Sequence, residues 1–433
     1  MNNSHKQAIT IGMLGLGTVG TGVAKVLAAN AHSIAQKVGA PVVLKKVLVR
    51  DPRKPRQVDL GDALTTDLAS IIDDPAIDIV VEVMGGEEPA KGHILRALQA
   101  GKHVVTANKD VVARYGRDLF AAAEERAVDL LFEASVGGGI PIIRPLKQCL
   151  AGNKISQVMG IVNGTTNYML TKMTADKRDY ADVLAEAQQK GYAEADPTAD
   201  VGGWDAARKI AILASIAFGT RVTLDDVHVE GITGITAQDI EYAGELGYVI
   251  KLLAIANDTD QGIDVRVHPA FIAKSHPLAA VQDVFNAIFV RGDAVGDTMF
   301  YGRGAGEMPT ASAVVADIID VARDIQHGVA SRILCTCFDN KPICPVEKTE
   351  SPYYIRLLVE DKPGVLAAIA GAFGAQQVSL NSVIQKRKVD NRAEIVLLTY
   401  RVSDANMRLA INTLGGMPVV SKVSSVIRVV ADE

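Results

Sequence analysis

The segment AITIGMLGLGTVGTGVAKVLAAN, residues 8–30, constrains the fold more than any other stretch of the chain. An apolar β-type run enters a turn with glycines at 15, 17 and 20, and a helical pattern begins at once. A glycine at 15 permits the tight turn, one at 17 lets an anion approach backbone N–H groups, and one at 20 lets the helix close on its strand. The GxGxxG spacing alone is weak, but between a strand and a helix at the start of a βαβ unit it is far more specific. The pattern then repeats. VVLKKVLVRD reads as a second strand, and DLASIIDDPAIDIVVEVMGG, ILRALQAGKHVVTANK and RDLFAAAEERAVDLLFEASV each read as helix then strand. Val/Ile-rich strands alternating with helices argue for a parallel sheet covered on both faces, so residues 1–134 are expected to form a doubly wound α/β domain.

Beyond residue 134 the alternation breaks. Longer helices and less regular strands over 135–304 suggest an α+β domain for substrate binding and dimerisation, and 305–335, with the helical run TASAVVADIIDVARDIQHG, is expected to pack back on the first domain. CFDNKPICPVEKTESP lies in a linker, 336–352. Residues 353–433 then read strand, helix, strand, strand, helix, strand, the βαββαβ ferredoxin-like order of a self-contained unit.

Composition removes several function classes. A chain of 433 residues with 48% apolar and 22% charged residues and a net charge of -5 fits a globular α/β protein of several domains. Lys and Arg are scattered rather than gathered into a basic, aromatic-interleaved stripe, so no nucleic-acid partner is expected. The uncharged run Gln7 to Ala24 carries five Gly and three Thr, a poor membrane span without a signal-peptide plan; a cytoplasmic protein is the expectation. Cys149, Cys335, Cys337 and Cys344 are too few for a disulfide framework and are expected as thiols. Three of them cluster, but no fourth Cys or well-spaced His completes a metal set.

The dinucleotide turn is Gly15, Leu16, Gly17, Thr18, Val19 and Gly20, the anchor for a pyrophosphate. At the end of the second strand, where an acid would accept from a ribose 2′-OH, stands Arg50, followed by Arg53 and Lys54. Basic groups there favour a 2′-phosphate, hence NADP, while the adjacent Asp51 keeps NAD open. Chemistry in such folds sits beyond the carboxyl ends of the strands. Three loops qualify: Glu82 to Gly86, Thr106 to Asp110 with Lys109 directly behind a buried strand, and Glu133 to Ile142. The stretch GYAEADPTADVGGWDAARK gathers Glu194, Asp196, Asp200 and Asp205 with no basic side chain before Arg208 and Lys209. Such crowding is repulsive unless a cation is expected, and the ammonium of a small substrate would be that cation. Asp205 and Lys209 lie i, i+4 at the polar start of an otherwise apolar helix, about 40° apart on its wheel. Lys209 at the edge of a dry core is suited to protonating an oxygen that becomes an alkoxide as hydride arrives.

These motifs, GLGTVG, VVTANKD, EASVGGGIPI, GIVNGTTNYML, GYAEADPTADVGGWDAARK and GRGAGEMPTASAV, resemble those of the homoserine dehydrogenase family through most of residues 10–330. The tail from 353, with DKPGVLAAIAGAFG, resembles the ACT domain, an amino-acid-binding regulatory module. The resemblance implies reversible, NAD(P)H-dependent reduction of L-aspartate 4-semialdehyde to L-homoserine on a Rossmann-type domain. It makes Lys109 and Lys209 the acid/base candidates, leaving open which donates the proton, and gives Glu194, Asp200 and Asp205 to the substrate or to orienting the lysine. It implies a monovalent cation, sodium, held by Glu133 with the backbone carbonyls of Val136, Gly138 and Ile140, oxygen donors that suit a hard ion. Gly304 and Gly306 resemble the segment that covers the nicotinamide. Asn163, Thr165 and Asn167 look like a polar turn near the substrate, with turn and capping roles equally open. Threonine is the implied effector, with Asp361 and Gly364 at the start of a helix whose free N–H groups suit its carboxylate; a homodimer or homotetramer is the implied assembly. Two other readings compete: an amino-acid sensor gated by the cofactor, and a dehydrogenase of another amino aldehyde.

Overall fold

The computed structural model describes residues 6–330, 332, 335–389 and 392–430. The chain forms two compact units, one from residues 1–158, 208–225 and 286–340, the other from 159–207, 226–285 and 341–433.

The first unit holds β1 (Ile9–Leu14), β2 (Val42–Leu48), β3 (Leu64–Thr65), β4 (Ile79–Glu82), β5 (His103–Thr106) and β6 (Leu130–Leu131). They pair in the order β3-β2-β1-β4-β5-β6, every pair parallel. This is the doubly wound order whose direction switches at β1, opening a crevice beyond the carboxyl ends of β1 and β4. Alternation along β1 explains its continuous apolar sequence. Ile9, Ile11 and Met13 face one way, towards α1 (Thr18–Ala29), α2 (Ala31–Val38) and α11 (Glu307–His327). Leu14 faces the other, towards α3 (Ala69–Ile72), α4 (Ala90–Gln99) and α5 (Lys109–Glu125). Gly12 is where α3 comes closest: a Cβ there would lie 2.4 Å from a methyl carbon of Ile71. Helix α11 packs on α1 through Gly22, where a Cβ would come 2.7 Å from the Glu307 carbonyl oxygen, and Lys25 pairs with Glu307 at 2.6 Å. The last strand is shorter than its sequence suggests. β6 has two residues, and Glu133–Ser135 is already a 3₁₀ turn that carries Glu133 into the interior.

β12 (Gly296–Arg303), β11 (Phe285–Gly292) and β7 (Ile155–Ile161) are successive neighbours in a second sheet. The chain passes between the units within β7 and within α9 (Trp204–Ala217).

The second unit contains α6 (Gly164–Asp176), α7 (Tyr180–Gln189), the single turn α8 (Thr198–Val201) and α10 (Ala237–Glu245). Its long hairpin β9 (Tyr248–Thr259) and β10 (Gly262–Ala273) pairs antiparallel over its full length, with the short β8 (His228–Val229) beside β10. The C-terminal module runs β14 (Tyr353–Glu360), α12 (Val365–Ala375), β15 (Leu380–Val389), β16 (Arg392–Thr399), α13 (Asp404–Gly415) and β18 (Val420–Val429). The strand order β18-β14-β16-β15 is antiparallel throughout, the ferredoxin-like arrangement. A small ladder of β13 (Glu350–Ser351) and β17 (Val402–Ser403) flanks it. The module is not self-contained. β18 pairs in parallel with β10, Ala270 opposite Arg428, so its sheet continues into the neighbouring hairpin. Arg356 on β14 reinforces the joint, donating through Nε to Asp239 of α10 at 2.9 Å and through Nη1 to Glu394 of β16 at 3.1 Å, all three side chains buried.

Candidate active site

In the first unit, the turn from β1 to α1 has the geometry the glycine spacing demands. Gly15 sits at φ 102°, and a Cβ on Gly20 would lie 2.4 Å from the Gly15 carbonyl oxygen, so both glycines are required by the chain itself. Gly17 is different. Its φ is -82°, and a Cβ there would meet nothing within 4 Å. The protein leaves free space in front of α1's first turn, which has no side-chain cap, and a dinucleotide pyrophosphate fits that open N–H cradle. Past β2, Arg50 is exposed, and Asp51 accepts from the Arg53 N–H at 2.9 Å in its own loop.

The carboxyl ends of β4 and β5 are locked to each other. Glu82, fully buried, accepts from the Thr106 hydroxyl at 2.6 Å and from the N–H of Met84 at 2.7 Å. Burial pushes its carboxyl above the ordinary carboxylate range. Asn108 caps α5 by accepting from the Val111 N–H at 3.2 Å and donates to the Gly86 carbonyl at 2.7 Å. Lys109 is therefore the first helical residue of α5 rather than a loop residue, and half-buried. The next residue, Asp110, accepts from Arg208 Nε at 2.8 Å. This ion pair draws together the start of α5 and the segment of α9 that carries Lys209, also half-buried, so the residues flanking the two lysines touch within one unit.

The loop after β6 is built round buried carboxyls. Glu133 Oε1 accepts from the N–H of Ile142 and Ile143 at 2.6 and 2.8 Å, and Oε2 from Arg144 at 2.8 Å. The Glu133 N–H donates to Asp317 of α11 at 2.8 Å. Asp317, buried and close to the Glu133 charge, is pushed up to about 7. Gly138 is in the left-handed region at φ 57°, and a Cβ there would come 2.3 Å from the Gly304 carbonyl oxygen. Beside Gly304 lies Asn286, whose buried Oδ1 has no hydrogen-bond partner. The Glu133 carboxylate and the orphan Asn286 oxygen near this loop suit a cation, while Asp317 is already paired with Arg144 at 2.9 Å. Oε2 of Glu133 accepts from one N–H only, so it keeps capacity for a cation beside the backbone carbonyls of the loop. Gly306, at φ 120°, caps α11.

In the second unit the acidic stretch separates into two kinds of residue. Asp196 accepts from the N–H and hydroxyl of Thr198 at 3.1 and 2.6 Å, bonds that hold its carboxyl below the ordinary range. It starts α8, and a cation is not needed to explain it, contrary to the expectation from charge crowding. Asp200 and Asp205 converge. One amide, Asn163 Nδ2, donates to Asp200 Oδ1 at 2.7 Å and to Asp205 Oδ2 at 2.8 Å. The same side chain caps α6 through Oδ1, accepting from the Thr166 N–H at 2.9 Å, so it fills both roles the sequence left open. Glu194 is exposed, and Thr165 donates to the Tyr192 carbonyl at 2.6 Å. Asn167 is structural: Nδ2 donates to the Asp283 carbonyl at 3.0 Å, and Oδ1 accepts from Lys251 at 2.9 Å. Lys251, buried in β9 and lowered to about 8 by burial, went unnoticed in the sequence. In the C-terminal module Gly364, at φ 87°, precedes α12 without a side-chain cap, and Asp361 pairs with Lys388 at 2.5 Å.

A doubly wound sheet with an open glycine turn, followed by an α+β unit and a ferredoxin-like module, defines a nicotinamide-dependent dehydrogenase that carries an ACT domain. Family models agree: the homoserine dehydrogenase NAD-binding domain matches residues 15–133, homoserine dehydrogenase 141–319, and the ACT domain 353–415. The Synechocystis homoserine dehydrogenase is 48% identical over 98% of this chain and 100% of its own. A crystal structure of a homoserine dehydrogenase from Thiobacillus denitrificans superposes with a TM-score of 0.94 at 43% identity, covering 98% of each chain. A hyperthermophilic archaeal homoserine dehydrogenase mutant, solved in complex with NADPH, matches at a TM-score of 0.63 and 26% identity over 72% of this chain and 97% of its own. The chain belongs to the homoserine dehydrogenase family, oxidoreductases acting on the CH–OH group of homoserine.

Proposed function

We propose that this chain reduces L-aspartate 4-semialdehyde to L-homoserine with Lys209 as proton donor to the aldehyde oxygen and Lys109 polarising the same oxygen. Bound nicotinamide supplies the hydride. Glu194, Asp200 and Asp205 hold the substrate ammonium or orient the lysine. The observation that carries this reading is the Asn163 amide holding Asp200 and Asp205 together: two carboxylates kept side by side are suited to a cationic substrate end. The Arg208–Asp110 pair supports the joint action of the lysines.

NADP is the preferred cofactor in this reading, because Asp51 accepts within its own loop and Arg50 is exposed beside the second strand; the relative solved with NADPH accords with it. Leu16, Thr18 and Val19 would complete the turn that holds the pyrophosphate, and Gly304 and Gly306 would cover the nicotinamide side of the cofactor. Sodium bound by Glu133, Val136, Gly138 and Ile140 would neutralise the buried charge near Asp317. The ACT domain binds threonine at Asp361 and the open start of α12, and the chain works in the cytoplasm as a homodimer or homotetramer. Asn163→Ser tests the substrate assignment, since a hydroxyl can still cap α6 but cannot bridge two carboxylates. KM for the semialdehyde should rise tenfold or more with NADPH affinity unchanged; equal loss of both would remove Asp200 and Asp205 from the substrate.

A further inference from the structure

Within the first unit, α5 and α9 enclose a cavity of about 40 Å³ on the stretches beyond their lysines. Gly116 of α5 and Ser215 of α9 line it, together with Lys147, Arg221, Cys335 and Cys337. The two cysteines come from the CTC segment that the catalytic reading leaves unused. Cys337 Sγ lies 3.9 Å from the Ser215 carbonyl, and the Lys147 ammonium sits 5.0 and 5.1 Å above the rings of Phe120 and Phe132. Both thiols are partly exposed, whereas Cys344 is buried and Cys149 is exposed. Two thiols and two cationic groups round one small space are the surroundings in which a sulfur becomes a nucleophile.

We infer that Cys335 and Cys337 form a peroxide-reactive dithiol, with Cys335 the attacking sulfur and Cys337 the resolving one. A hydrogen bond from Cys337, with Lys147 and Arg221 nearby, holds the Cys335 thiol well below its ordinary range. The same bond and burial keep Cys337 protonated. A water-sized molecule needs roughly 10–15 Å³ of such volume, so hydrogen peroxide fits the space beside the two sulfurs. The Cys335 thiolate attacks one peroxide oxygen; the O–O bond breaks, and hydroxide leaves and is protonated to water, giving a sulfenic acid. Cys337 then attacks that sulfur as its proton is lost. The S–S bond forms, the S–O bond breaks, and the departing hydroxide takes up the proton as a second water. Two thiols lose two electrons and one peroxide is reduced to two waters.

The test treats the reduced full-length chain with a few equivalents of hydrogen peroxide and maps its peptides without reductant, cleavage after Phe338 separating Cys344. The peptide carrying Cys335 and Cys337 should lose two hydrogens at least tenfold faster than Cys149 is oxidised, and dithiothreitol should restore it. Cys337→Ser should instead yield a dimedone adduct at Cys335, and in Cys335→Ser the remaining Cys337 should react no faster than Cys149. Turnover of aspartate semialdehyde by both serine variants verifies their folding. Oxidation of Cys335 no faster than that of Cys149, or a dimedone adduct on Cys337 in Cys335→Ser, would overturn the assignment.

Discussion

Single residues differ in why they are what they are. Gly15 and Gly20 are required by the chain's own geometry, and Gly17 is not, because its φ is one any residue adopts and the space before it is open. Gly17→Ala should therefore leave the melting temperature within about 1 °C, while dinucleotide affinity, read by titration of NADPH fluorescence, falls tenfold or more. A fall in both would mean that the turn itself needs the glycine. The glycine turn was legible in the sequence because a few consecutive residues encode it. Asp196 was misread for the matching reason: its partner, Thr198, is equally local, and an Asx turn looks like any other acid in an acidic run. The contacts that organise the lysines were hidden, since Arg208 and Asp110 are far apart in sequence and nothing in either segment announces the other.

At the scale of elements, buried charge decides stability. Arg356 on β14 serves Asp239 of α10 and Glu394 of β16, both buried, and Glu394 also pairs with Arg387 at 2.9 Å. Arg356→Met should cost about 3–5 kcal/mol in urea unfolding, because, of the two buried carboxylates, Asp239 loses its ion pair outright, while Glu394 keeps Arg387. A loss under about 1 kcal/mol would show that water reaches them. Lys251 acts oppositely with pH. Burial in β9 lowers it to about 8, so between about 8 and its ordinary value of 10.5 the unfolded chain holds a proton that the folded chain does not. Stability should rise across that window relative to Lys251→Met, by up to about 3 kcal/mol. A flat difference would mean that the ammonium stays charged in β9. The strand itself was visible in YVIKLLAIAN, but a lysine inside an apolar run reads as an edge or solvent position until the acceptors around it, Asn167 and Val281, are placed.

For the whole molecule, the sequence was a good guide to the kind of layers and a poorer one to their joints. The order β3-β2-β1-β4-β5-β6 follows from alternating strands and helices, and the βαββαβ tail from its own periodicity. The parallel pairing of β18 with β10 does not, because an edge strand's partner depends on unpaired backbone groups rather than on side-chain pattern. In the proposed function the starts of α5 and α9, tied by Arg208 and Asp110, carry one acid/base device made of two lysines. The direct measurement is turnover of aspartate semialdehyde by Lys109→Ala, Lys209→Ala and the double variant, with NADPH affinity measured on each. The joint role of the lysines predicts that Lys209→Ala loses about 10²–10⁴ in kcat with NADPH binding kept, and that the double variant falls less than tenfold further, as for groups acting together. Turnover by Lys209→Ala within threefold of the unaltered chain would contradict it.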